Sequence, residues 1–242
     1  MKHISYSEMK TWAECPWKHK LSYIERVKKF IGNEFTAFGR AIHAVCENVV
    51  VSEQDELSGE DFFDFEFRKE LKALNESELD KKLVVDMQQQ AHAIIPQIEP
   101  YLKGYFGSYE VFSVEERLYE EIELERPIER KFKGFIDLVV RTDDGMYHVI
   151  DWKSCSWGWK AEKRNDKLIT YQLTLYKKYF CQKHDIDPSM VETHFALLKR
   201  TAKKDNVEIF RVTSGDRKTK NATKLLNNAI INIENKNFVK NR

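Results

Sequence analysis

The spacing of apolar positions along this chain changes period several times, and each change marks an element. Residues 6–14 read as a short helix, with Ser5 and Ser7 as caps and a break at Cys15-Pro16. Pro16 suits the first turn of a second short helix, 16–23, with Trp17 and Leu21 on one face. Phe38, Ile42, Val45 and Val49 give helical spacing over 36–51. Residues 53–105 are acidic and helix-prone, interrupted at Pro96 and ending near Gly104 and Gly107. Their sparse apolar residues suit a helical insertion better than a second core. Alternation over 109–125 predicts a long strand. Two short apolar runs, 134–140 and 149–154, flank Asp143-Asp144-Gly145 as a hairpin. An amphipathic helix over 166–184 carries Ile169, Gln172, Leu173, Tyr176 and Phe180 along one side. A strand at 191–199, a turn at 203–206, a strand at 207–212 and a basic helix from Ser214 to about Asn235 complete the chain.

Helices, three meandering strands, a crossover helix and further strands predict an α/β layer architecture with a mixed sheet. Apolar residues make up 42% of the 242 and charged residues 33%, as in soluble globular proteins. No apolar run approaches the roughly 18 residues of a membrane span, and the N-terminus has no signal-peptide pattern, so a cytoplasmic protein is expected. Net charge is +1 but uneven. Residues 51–125 hold 7 Lys/Arg against 20 Asp/Glu, whereas residues 199–242 hold 12 against 4. The basic C-terminal part is either a surface that tracks a phosphate backbone or an ordinary solvated helix face. Cys15, Cys46, Cys155 and Cys181 are scattered without a Cys-x-x-Cys pair, which argues against a zinc ribbon.

The hairpin holds the most telling chemistry. If 143–145 form a three-residue loop, position i pairs with 288 minus i, and Asp137 lies opposite Asp151. Cross-strand Cβ atoms sit roughly 5 Å apart, where like charges repel. A divalent cation bridging the two carboxylates is the simplest reason for them to stay. Lys153 projects from the same face as Asp151. The other reading is a buried Asp–Lys pair beside a solvent-facing Asp137.

Other positions add to this pair. His43 shares a helix face with Gly39 and Glu47, and is either a structural histidine or a ligand; Gly39 would let the helix approach another backbone. Glu116, on the preceding strand, falls on the apolar side with Val114, Leu118 and Ile122, where a carboxylate is costly unless paired or metal-bound. Glu115 then faces solvent. Trp157 and Trp159, beside Lys160, either stack unpaired bases or anchor a loop to the core.

Together these motifs resemble the PD-(D/E)xK nuclease superfamily, in its RecB-like and phage-exonuclease branch. The resemblance rests on Ser5-Tyr6-Ser7, Cys15-Pro16-Trp17-Lys18, Gly39-Arg40-Ala41-Ile42-His43, Glu116, Gly134-Phe135-Ile136-Asp137, Asp151-Trp152-Lys153 and Gln172-Leu173-Thr174-Leu175-Tyr176, in that branch's order. It spans about residues 5–200, apart from 53–105.

The resemblance implies a restriction-endonuclease-like core with an N-terminal helical segment. On this reading residues 1–242 form one nuclease domain: N-terminal helices to 52, an insertion over 53–107, a catalytic α/β core over 108–213 and a basic helix from 214. Asp137 and Asp151 would hold one or two magnesium or manganese ions, with the Trp152 backbone carbonyl and His43 completing the shell. Lys153 would orient or deprotonate the attacking water, and Glu116 would be the auxiliary acid. Gln172 and Tyr176 would line the site and touch DNA, with Trp157, Trp159 and Lys160 nearby. Asp151 stands where Glu is commoner, Trp152 where Tyr is frequent and Ser154 where Thr is frequent. No cysteine follows Cys181, so no iron–sulfur cluster is expected. The expected activity is a metal-dependent DNA exonuclease acting on DNA ends, in DNA processing, recombination or phage DNA metabolism. A structure-specific or restriction-like endonuclease and a non-catalytic DNA-end-binding protein are the alternatives.

Overall fold

A computed structural model describes residues 2–27, 32–51, 58–74, 79–124 and 128–240. The chain starts with a short strand, β1 (His3–Ser5), which runs into α1 (Tyr6–Glu14). Of the two candidate serine caps, Ser5 is the one used; its hydroxyl accepts the N–H of Glu8 at 3.1 Å. Pro16 opens α2 (Pro16–His19), which loosens into a π-helical turn at Lys20–Ile24. Three helices follow: α3 (Glu34–Val51), α4 (Gly59–Lys72) and α5 (Lys81–Phe106). The meander is β2 (Tyr109–Glu121), β3 (Lys131–Thr142) and β4 (Tyr147–Cys155). A single-turn helix, α6 (Ala161–Arg164), precedes α7 (Lys167–His184). Strands β5 (Val191–Lys199) and β6 (Val207–Arg211) and helix α8 (Asp216–Glu234) end the fold.

The six strands form one mixed sheet. β2 pairs antiparallel with β3 along nearly its whole length. The other edge of β3 is shared: β1 runs parallel to residues 131–133, and β4 runs antiparallel to residues 138–141. Between them β3 and β4 part, and Asp137 and Asp151 sit at that parting. The hairpin register matches the 288-minus-i rule, with Leu138 opposite Ile150 and Thr142 N–H bonded to the Met146 carbonyl at 3.0 Å. β4 then pairs parallel with β5, as a crossover through α7 requires, and β6 closes the order antiparallel to β5.

Helices cover both faces. On one, α1, α7 and α8 bury Ile4, Met9, Phe132, Ile136, Leu173, Phe180, Leu226 and Ile230 together. On the other, α3, α4 and α5 bury Phe38, Ile42, Phe63, Met87, Ile94 and Ile98 against Leu138, Ile150, Trp152 and Leu198. The acidic stretch is therefore the cover of one sheet face. It makes no core of its own.

Two sequence expectations change here. α5 runs unbroken through Pro96 and Pro100. Each proline costs a helix about 3 kcal/mol, but Ala91, Ile94, Ile95, Ile98 and Leu102 are all buried along its packed side and hold it together. Gly39 meets β4 only through the Ser154 hydroxyl, 3.6 Å from where a Cβ would lie, so a methyl group would fit. Gly134, beside the site, does permit close approach. A Cβ there would lie 2.9 Å from the Tyr176 ring.

Candidate active site

Asp137 and Asp151 are both buried, at 9% and 1% exposure. The Asp137 carboxylate accepts the main-chain N–H of Trp152 at 2.7 Å, taking the place of a cross-strand carbonyl where β3 and β4 part. His43 Nδ1, from α3, lies 3.6 Å from the same oxygen, and the His43 ring hydrogen-bonds the Trp152 backbone. Asp151 Oδ1 accepts a hydrogen bond from Gln172 Nε2 at 2.7 Å, and Lys153 Nζ pairs with Asp151 Oδ2. That oxygen is buried and has no well-directed hydrogen bond. Gln172 also donates to the Tyr176 hydroxyl at 3.2 Å, one turn along α7. Asp137, Asp151, Lys153, His43, Gln172, Tyr176 and the Trp152 backbone thus belong to one constellation.

The alternation of both strands breaks here. Ile136 faces the first core and Leu138 the second, so β3 turns over at Asp137. On β2, Val114 pairs with Leu138 and Glu116 with Ile136, and the intervening Glu115 has φ of +46°. A left-handed residue in mid-strand rotates the rest of the strand about its axis. Glu116 consequently shares its face with Leu118 but not with Val114. Its carboxylate binds Lys183 Nζ at 2.5 Å and His184 Nε2 at 2.9 Å, at the C-terminal end of α7. The structure does not bring Glu116 to the carboxylate pair; its carboxylate is held by Lys183 and His184 instead. Glu115 is exposed, as expected, and its charge also reaches Asp137. It also hydrogen-bonds Glu47, one turn beyond His43 on α3.

The electrostatics follow from this crowding. Burial, then the Asp151 charge, hold the Asp137 pKa well above the usual carboxylate range, with Lys153 and the Trp152 N–H opposing. Burial and the neighbouring Glu115 raise Glu47 to about 7. Burial lowers His43 to about 4, so its imidazole is neutral at physiological pH and keeps a lone pair. Such a set fits a hard divalent cation: carboxylates that repel one another, a carboxylate oxygen without a directed hydrogen bond, and a neutral imidazole. An ion there would compete with Lys153 for Asp151 Oδ2.

The two tryptophans separate. Trp159 is 8% exposed and packs on Phe195 with ring centroids 5.1 Å apart, whereas Trp157 is 64% exposed. Lys160 is exposed at the start of α6. A cavity of about 480 Å³ opens beside the carboxylates, lined by Lys153, Gln172 and Trp159 together with Lys10, Lys18 and Lys163. Among the described residues no helix is long and apolar enough to cross a membrane.

The profile of the PD-(D/E)XK nuclease superfamily matches residues 3–241, nearly the whole chain. The chain belongs to that superfamily. The nuclease is similar in structure to a protein from Eubacterium rectale named "Putative exonuclease", with a TM-score of 0.63 at 15% identity, over 100% of this chain and 84% of the other. At that identity the likeness concerns the fold, a six-stranded mixed sheet between helical layers. A second structure, SSO0001, aligns with a TM-score of 0.38 at 15% identity, over 84% of this chain and 88% of that one. That score carries no argument. No curated protein matches the chain. Members of the superfamily use divalent metal ions, in keeping with the donor set at Asp137 and Asp151.

Proposed function

We propose that this nuclease is a magnesium- or manganese-dependent DNA exonuclease that hydrolyses phosphodiester bonds at DNA ends. The observation that carries the reading is the grip on Asp151: Gln172 on one oxygen, Lys153 on the other, beside Asp137 anchored to the next residue's N–H. Asp137, Asp151, His43 and the Trp152 carbonyl would hold the metal. When bound, it would polarise the scissile phosphate and lower the pKa of a water molecule.

The remaining work falls to side chains of the chain. Lys153, displaced from Asp151, offers its ammonium to the phosphoryl oxygens and to the nucleophilic water. Gln172 keeps Asp151 turned toward the phosphate, and the Tyr176 hydroxyl fixes the Gln172 amide in turn. Lys10, Lys18 and Lys163 line the cavity beside the site and suit a strand's phosphates. The exposed Trp157 suits base stacking, and the buried Trp159 shapes the cavity wall. A second, larger cavity of about 900 Å³ lies where the starts of α7 and α8 meet β6. Its lining of Arg164, Lys167, Arg211, Arg217 and Lys218 extends the cationic surface toward the basic C-terminal helix.

The preference for ends follows the resemblance of the motifs to the phage-exonuclease branch and the name of the structural neighbour. The test is digestion of end-labelled linear DNA and of covalently closed circles with magnesium. Loss of the linear substrate alone is expected. Cutting of the circle would establish an endonuclease, and inertness on both, with or without EDTA, a binding protein.

A further inference from the structure

A second group of metal-ligand side chains lies on the opposite face of β4 from the carboxylates. His148, Ile150 and Trp152 project to the α5 side, whereas Asp151 and Lys153 project to the α7 side. His148 Nδ1 and His194 Nε2, on neighbouring strands, are 3.1 Å apart. Glu192 Oε2 lies 3.9 Å from the first and 3.8 Å from the second. Among the described residues this is the one trio of His, Cys, Asp or Glu whose ligand atoms all lie within 4.8 Å of one another. Ligands at about 2.0–2.1 Å around a tetrahedral zinc lie roughly 3.3 Å apart. The two nitrogens already meet that spacing, and Glu192 needs to move only about half an ångström.

The surroundings hold these atoms ready. Thr142 donates its hydroxyl proton to Asp144 at 2.6 Å, which leaves its oxygen to accept from His148 Nε2, 3.1 Å away. That relay places the His148 proton on Nε2, so the Nδ1 lone pair accepts the His194 Nε2–H, and a bound metal would shift that proton to His194 Nδ1. Arg211 binds Glu192 Oε1 at 2.8 Å and leaves Oε2 to face the imidazoles. Phe106 packs against both rings, at 4.8 and 5.1 Å between centroids. Burial keeps both histidines below their usual pKa and hence neutral. A cavity of about 530 Å³, bordered by Tyr105, Ser108, Asp143 and Asp144, leads from solvent to the trio. It leaves room for a water as fourth ligand. His194 Nδ1 has no hydrogen-bond partner, which lowers affinity relative to a fully supported zinc site.

We propose that His148, His194 and Glu192 form a second metal site, separate from the nuclease centre, that takes a zinc-class divalent cation. Two imidazoles and one carboxylate favour zinc or cobalt over magnesium, which prefers oxygen ligands. A bound ion would tie the β3–β4 hairpin to β5 beneath the end of α5.

Cobalt(II) titration of the full chain, with excess magnesium to fill the carboxylate site, tests this. One equivalent of cobalt should give a visible absorption band that zinc abolishes. His148→Ala and His194→Ala should each weaken binding at least about tenfold, while His43→Ala leaves the band unchanged. No band in the parent protein, or a band lost with His43→Ala and kept with the other two, overturns the proposal. Where the alanine variants fail to fold, Glu192→Gln with circular dichroism as the check replaces them. Zinc should raise the melting temperature of the parent protein and raise that of Glu192→Gln less; equal shifts count against the site.

Discussion

Gln172 Nε2 sits 2.7 Å from Asp151 Oδ1 and 3.2 Å from the Tyr176 hydroxyl, so one amide ties α7 to the buried carboxylate of β4. Gln172 is a positioning residue on this geometry. Gln172→Ala should lower cleavage about 10–100-fold, the usual cost of losing a group that orients a metal ligand. Raising magnesium should recover part of the loss, because the defect lies in holding the ion. A loss that saturating metal leaves untouched would assign Gln172 to the phosphate instead.

Glu115 and Glu116 are neighbours with opposite fates. Glu116→Gln removes an anion from Lys183 and His184 and should cost roughly 1–2 kcal/mol of stability, moderated because Lys183 is a third exposed. Its effect on turnover should stay within a few-fold. Glu115→Gln should do the reverse, altering the metal dependence of cleavage with little change in melting temperature. Side-by-side thermal melts and magnesium titrations distinguish the two.

Glu47 carries a pH signature. Its folded pKa of about 7 lies above the ordinary carboxylate value of 4.5. The folded state therefore holds this proton after the unfolded chain has released it, and stability is lost as pH rises from about 4.5 through 7. His43 works the other way: with a folded pKa of about 4, it costs stability as pH falls below 6.5. Glu47→Gln removes only the first contribution. In metal-free buffer its melting temperature should equal the parent's near pH 4.5 and exceed it increasingly toward pH 8. A constant difference across that range would show that Glu47 does not hold a proton.

Much of the fold and the site was legible from residue order. The three-residue turn set the hairpin register, which brought Asp137 beside Asp151. Helical spacing put Gln172 and Tyr176 on the inner side of α7. The rotation of β2 at Glu115, which turns Glu116 toward Lys183 and His184, was not legible, because strand alternation assumes extended backbone throughout. Glu115 adopts a positive φ without a glycine or asparagine to signal it. β1 was also missed, since three residues are too few to show a period, yet it fills the edge of β3 beside the site. The span through Pro96 went unread because its stability comes from packing on the sheet, a tertiary effect.

The carboxylate pair and its lysine are proposed to carry metal-assisted phosphodiester hydrolysis. Single-turnover cleavage of linear DNA with magnesium tests this most directly, comparing the parent protein with Asp151→Asn and Lys153→Ala after circular dichroism confirms their fold. Each variant should lose on the order of 10³-fold or more, as when a group stabilising transition-state charge is removed. Folded variants that cleave at the parent rate would contradict the assignment.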